Sequence, residues 1–200
     1  MAYSRVKGTA PYSIVLLLLL LMSCKDEEPE ARVPVDSFSM EVNDRLWTPF
    51  QSKEDTCVST YSYSFSHYGS APVYTIYAYR DPTGRADAYS ENLLRMRVMN
   101  VTKPGTYPLY GSYKEGIDAS YIIFQIQQSM GNPKRYVNDP SRRPFIIQVN
   151  EIPLKERRTI PGIKGSFSGT LYNEDNLLDS LVIKKGKFTF KYPGKDHCDF

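Results

Sequence analysis

Histidine and cysteine are scarce in this 200-residue chain, at two and three, and tryptophan occurs once. Most metal and nucleophile chemistries draw on those side chains, so they start here with few candidates. Charge of one sign is not in excess: 25 Lys+Arg face 22 Asp+Glu. That balance excludes a strongly basic nucleic-acid footprint and an acidic disordered chain. Gly-x-Ser-x-Gly, His-Glu-x-x-His, a glycine-rich phosphate loop and EF-hand spacing do not occur. No catalytic residue, metal site or cofactor is therefore assigned. Sustained helical spacing is missing too, apart from a turn's worth near residues 86–94. What is abundant is tyrosine, sixteen in all, with 14 prolines and 12 glycines. That mixture favours strands and turns over helices.

The one long apolar run lies at the N-terminus. Arg5 and Lys7 precede residues 14–22, which include six consecutive leucines from Leu16 to Leu21. As a helix this run would rise about 14 Å, too short for a bilayer core of about 30 Å. It has the proportions of a secretory signal. It ends in Leu21-Met22-Ser23-Cys24, which resembles the lipobox of bacterial lipoproteins. The resemblance implies cleavage before Cys24, diacylglycerol on its sulfur and acylation of the new amine. Two or three acyl chains anchor stably where one is marginal. The next residues, Lys25, Asp26, Glu27 and Glu28, resemble the surface-export signal of Bacteroidetes lipoproteins. That implies the outer membrane, at its outer face. Without a receptor for the signal, the same charges would only keep a tether solvated. The expected organisation is a signal peptide over 1–23, lipidated Cys24 and a tether over 24–36, a β domain over 37–192 and a tail over 193–200. Loss of Arg5 and Lys7 leaves 23 basic against 22 acidic residues.

From Phe38 onward the period is two. Phe38, Met40 and Val42 alternate with polar residues, Asn43-Asp44-Arg45 is a turn, and residues 46–50 return with Trp47. Residues 57–66 set Tyr61, Tyr63 and Phe65 on one face. Residues 73–80 set Tyr74, Ile76 and Ala78 opposite Val73, Thr75, Tyr77 and Tyr79. Leu94, Met96 and Val98 alternate with Arg95 and Arg97. A short strand is expected at 105–110, and longer apolar strands at 121–127 and 144–152. Residues 163–171 then pair with 177–183, and Lys185-Gly186 reads as a turn before 187–191. About ten strands at this spacing predict an all-β domain: a single antiparallel β-sandwich or flattened β-barrel, largely hairpin-connected. The alternative is a lipocalin-like up-and-down barrel. Three segments, Gly165-x-Phe167-x-Gly169-Thr170 with Gly186-Lys187-Phe188, Val42-Asn43-Asp44-x-x-Trp47 and Lys103-Pro104-Gly105-Thr106-Tyr107-x-Leu109, resemble an uncharacterised family of Bacteroidetes outer-membrane lipoproteins. The resemblance implies an all-β lipoprotein domain and brings no catalytic residue.

Candidate sites are few. With Cys24 lipidated, Cys57 and Cys198 remain in an oxidising compartment. They either pair, stay free, or join His67 and His197 at a metal, although C-x-x-C spacing is missing. Tyr61, Tyr63, Tyr77 and Tyr79 are candidate ligand-stacking aromatics; the structural alternative is that tyrosine simply suits half-buried strands. Lys134-Arg135 and Arg142-Arg143 read as parts of a proline-rich loop. Asp179-Ser180-Leu181 resembles the O-glycosylation signal of secreted Bacteroidetes proteins, with Ser180 as acceptor. The expected partners are the membrane, through Cys24, and a glycan or an outer-membrane protein, with no nucleic acid. The expected function is a non-catalytic binding or accessory module. A structural envelope protein and a hydrolase are the alternatives.

The anchor is testable in cells. Cys24→Ala should abolish labelling by radioactive fatty acid and release the protein from membranes. Equal labelling of both forms contradicts the lipid anchor.

Overall fold

Alternation of period two puts one face of an extended segment into a core, so the pattern above should yield strands with one buried row each. The computed structural model describes residues 36–54, 59–80, 93–111, 114, 119–126, 133–153 and 160–191. Among these run eleven strands: β1 (Ser37–Val42), β2 (Arg45–Trp47), β3 (Tyr61–Tyr68), β4 (Ala71–Tyr79), β5 (Leu93–Met99), β6 (Gly105–Leu109), β7 (Tyr121–Ile126), β8 (Lys134–Val137), β9 (Phe145–Glu151), β10 (Ile163–Asn173) and β11 (Ser180–Phe190). All belong to one antiparallel sheet of order β2-β1-β11-β10-β8-β7-β5-β4-β3, with β9 on β10 and β6 on β9. The domain is all-β and mostly hairpin-connected, as the alternation implied. It is not an up-and-down barrel: β1 pairs β11, β5 pairs β7 and β8 pairs β10.

The sheet forks at β10. One edge of β10 runs along β11. The other is divided, with residues 164–168 paired to β9 and Tyr172 and Asn173 paired to β8. The branch through β8 curls until β3 lies across the interior from β11. Tyr63 meets Phe190 there at 5.3 Å between ring centroids, and Trp47 of β2 meets Phe124 of β7 at 5.7 Å. The result is a half-barrel whose concave side holds the core, including Ile76, Leu94, Met96, Ile122, Ile147 and Phe190.

Two close approaches shape the central hairpin. Gly165 pairs with Phe188 and Phe167 pairs with Gly186 across β10 and β11. A Cβ at position 165 would stand 2.7 Å from the Phe188 ring, and one at 186 would stand 2.6 Å from the Phe167 ring. Each ring therefore occupies space that only a glycine opposite can leave. The rings continue as a row: Phe145 to Phe167 at 6.2 Å, Phe167 to Phe188 at 6.1 Å, and Phe188 to Phe190 at 6.2 Å. Aromatic pairs of this kind contribute about 0.5–1.5 kcal/mol each beyond burial.

Lys185-Gly186 does not end a strand. Against β1, Ser39 pairs with Lys187 and Glu41 with Lys184; against β10, Phe167 pairs with Gly186 and Gly169 with Ile183. Two steps on either neighbour match three on β11, so one extra residue forms a bulge inside an unbroken strand. Lys185 has φ of 49° there, and its ammonium meets Glu41 at 2.8 Å. The turn chemistry was real, but partners on both edges hold the chain extended. The Asn43-Asp44 turn does form, with φ of 49° and 63°, as a tight two-residue hairpin needs. Lys134-Arg135, expected in a loop, begins β8 instead, paired to β7 through residues 134–137. The third strand begins at Tyr61 among the described residues, and Cys57 lies outside them.

Gly165→Ala should cost about 1–3 kcal/mol of stability, because overpacking at a ring contact forces strain. Gly69, with open space at its Cβ position, is the comparison site. Urea denaturation of G165A and G69N checks this. An unchanged midpoint for G165A contradicts the glycine-seated ring.

Candidate functional site

The same alternation that fills the core fixes a second row of side chains on the convex face. On β4 that row is Val73, Thr75, Tyr77 and Tyr79; on β5 it includes Arg95 and Arg97. Register aligns Ser62, Tyr77, Arg95 and Ile123 across β3, β4, β5 and β7. The next row is Ser64, Thr75, Arg97 and Tyr121. Two arginines thus stand between tyrosine-bearing strands.

Tyr77 and Tyr79 hold their rings 6.4 Å apart and 8° from parallel. Both are half-buried. The Arg95 guanidinium lies 5.7 Å from the ring centroids of both Tyr77 and Tyr121, a cation held between two π faces. The Nε atoms of Arg95 and Arg97 are shielded from solvent and have no hydrogen-bond partner among the described residues. By contrast Lys114, Lys134, Arg142, Lys164, Lys184 and Lys185 each have a carboxylate within 3.6 Å. A shielded donor without an acceptor is costly, so these two positions carry an unmet hydrogen-bonding demand. Tyr79 is pushed up to about 12, first by burial, then by Tyr77, against the opposing pull of Arg95.

The four candidate tyrosines divide. Tyr77 and Tyr79 sit together on the convex face. Tyr61 and Tyr63 are core residues, 4% and 3% exposed, so their rings are out of a ligand's reach. Their hydroxyls donate to the backbone carbonyls of Asp36 and Pro161, each at 2.9 Å. Ser180 is exposed at the start of β11. Its neighbour Asp179 accepts from Asn173 Nδ2 at 2.9 Å, Tyr136 Oη at 3.0 Å and Lys134 Nζ at 3.4 Å. Those donors, Asn173 first, hold the Asp179 carboxyl below the usual carboxylate range. Arg142 stacks on Tyr172 at 4.4 Å and pairs with Asp139 at 3.3 Å, which anchors the loop after β8. His67 is exposed and packs edge-on against Phe65. Cys24, Lys25, Asp26, Glu27, Glu28, Cys57, His197 and Cys198 lie outside the described residues. Arg95 and Arg97 were visible in the sequence only as polar positions of a strand. The signal that joins them to the tyrosines is cross-strand register.

The family described as Domain of unknown function (DUF5025) matches residues 35–191. That span is most of the sequence, and the chain belongs to this family. No curated protein and no solved structure matches it.

Buried tyrosines give the domain an alkaline limit. Tyr74 and Tyr136 are also pushed up to about 12, Tyr74 by burial and then Tyr107, Tyr136 by burial and then Asp179. In the unfolded chain tyrosine ionises near 10. The folded values are raised, so the stability these groups contribute is complete below pH about 10 and is lost as pH rises through about 12. Titration of tyrosinate absorbance should show a late set of tyrosines ionising near pH 12 as the far-ultraviolet strand signal collapses. Complete ionisation near pH 10 with the fold intact contradicts this.

Proposed function

We propose that this DUF5025 member is a Bacteroidetes-type lipoprotein, anchored through Cys24 in the outer membrane and displayed at the cell surface, whose β domain binds glycan without catalysing a reaction. The observation that carries the binding reading is the parallel Tyr77–Tyr79 pair beside Arg95 on the convex face. A sugar ring has an apolar face that an aromatic ring can cover and hydroxyls that tyrosine and arginine can hydrogen-bond. Strand placement keeps the two rings ordered before binding, which lowers the entropy cost of capture. The anchor and address rest on the signal-like run, the Leu-Met-Ser-Cys end and the acidic residues after Lys25. A second reading, protein contacts alone, draws on one feature. Leu178 is 93% exposed in the β10–β11 turn, with Leu177 beside it.

Binding separates the two. The full chain, purified in detergent, should be retarded by immobilised polysaccharide in affinity electrophoresis. Tyr77→Ala with Tyr79→Ala should lose about tenfold or more in affinity, the worth of one or two lost ring contacts. Far-ultraviolet circular dichroism should show the fold retained. Loss of binding in Leu177→Ser with Leu178→Ser instead, with the tyrosine variant unaffected, contradicts the convex-face site.

A further inference from the structure

The convex face sets its aromatic rings beside two cations, Arg95 and Arg97, that have no carboxylate partner among the described residues. Arg95 and Arg97 alternate along β5, about 6.6 Å apart along the strand. Both project from the same face. Among the described residues, the Nε of each has no hydrogen-bond partner and neither guanidinium is ion-paired. Arg95 is fixed between Tyr77 and Tyr121, so its planar donors are held in place before any ligand arrives. Guanidinium matches the two oxygens of a carboxylate or the oxygens of a sulfate with parallel N–H donors. The flanking strand supplies neutral hydroxyls, from Ser62 and Ser64 on β3. A neutral sugar needs the rings and hydroxyls but leaves the guanidinium donors unmatched. An acidic sugar uses all three.

We propose that the ligand of this face is an acidic glycan, one bearing carboxylate or sulfate groups that Arg95 and Arg97 receive while Tyr77 and Tyr79 cover a sugar ring. This rests on the glycan reading above and narrows it to a substrate class. A cationic depression elsewhere on the domain is a weaker candidate. It lies on β9, β10 and β11, lined by Gln148, Ser166, Ser168, Lys185 and Lys187. There Lys185 is already engaged by Glu41. Lys187 therefore serves as a control of equal charge on a distant strand.

The probes are polygalacturonate for carboxylate, dextran sulfate for sulfate and unmodified dextran as the neutral polymer. The full chain in detergent should bind at least one acidic polymer tenfold or more tighter than dextran. Arg97→Gln should reduce that binding about tenfold or more, the effect of losing charged hydrogen bonds. Arg97 is chosen because Arg95 is packed between two rings. Lys187→Gln should change it less than twofold. Binding to all three polymers alike, or to dextran alone, overturns the acidic ligand and leaves the glycan module standing. Equal losses in Arg97→Gln and Lys187→Gln assign binding to net charge and overturn the site. Failure to bind any of the three overturns both readings.

Discussion

Two phenylalanine rings, each laid over a glycine of the opposite strand, hold the central hairpin. Phe188 over Gly165 and Phe167 over Gly186 bring β10 and β11 into an approach that a Cβ at either glycine would block. The row from Phe145 to Phe190 then extends to Tyr63 on β3, so it links the hairpin to the far end of the sheet. The bulge at Lys185 bends β11 against both neighbours at the same level. Together these features set the curl. With a side chain in place of either glycine, the rings would have to move and the facing strand with them.

Curling one sheet onto itself gives its two faces different work. The concave face takes the large apolar side chains. The convex face is left with the remaining row, which on β4, β5 and β7 includes Tyr77, Tyr79, Arg95, Arg97 and Tyr121. Hydrogen bonding of β5 to β7 on one edge and β4 on the other is what sets Arg95 between Tyr77 and Tyr121. β6 leaves this neighbourhood altogether and pairs with β9. The fork at β10 allows both arrangements, because a single long strand serves β9 with its first half and β8 with its second.

Strand identity was legible wherever alternation was clean, as in Leu94, Met96 and Val98 against Arg95 and Arg97. The Asn43-Asp44 hairpin was legible for the same local reason. Alternation says which residues share a face, and it cannot say what that face meets. Tyr61 with Tyr63 and Tyr77 with Tyr79 have the same spacing, yet the first pair is core and the second is convex. β8 was hidden because Lys134 follows Pro133 and the next residues carry few apolar side chains; pairing to β7 and β10 decides it. The Lys185-Gly186 bulge was hidden because a turn signal is local while strand continuity is set by two neighbours. The site itself depends on a register that skips β6, and no spacing in the sequence encodes that.

The convex face as the binding face is the central claim, and amide chemical-shift mapping tests it most directly. The isotope-labelled full chain in micelles would be titrated with polygalacturonate or dextran sulfate oligomers. The largest shifts are expected at Tyr77, Tyr79, Arg95 and Arg97, with smaller ones at Ser62, Thr75 and Ile123. Shifts centred instead on residues 184–187 or on the 174–179 turn would contradict the account.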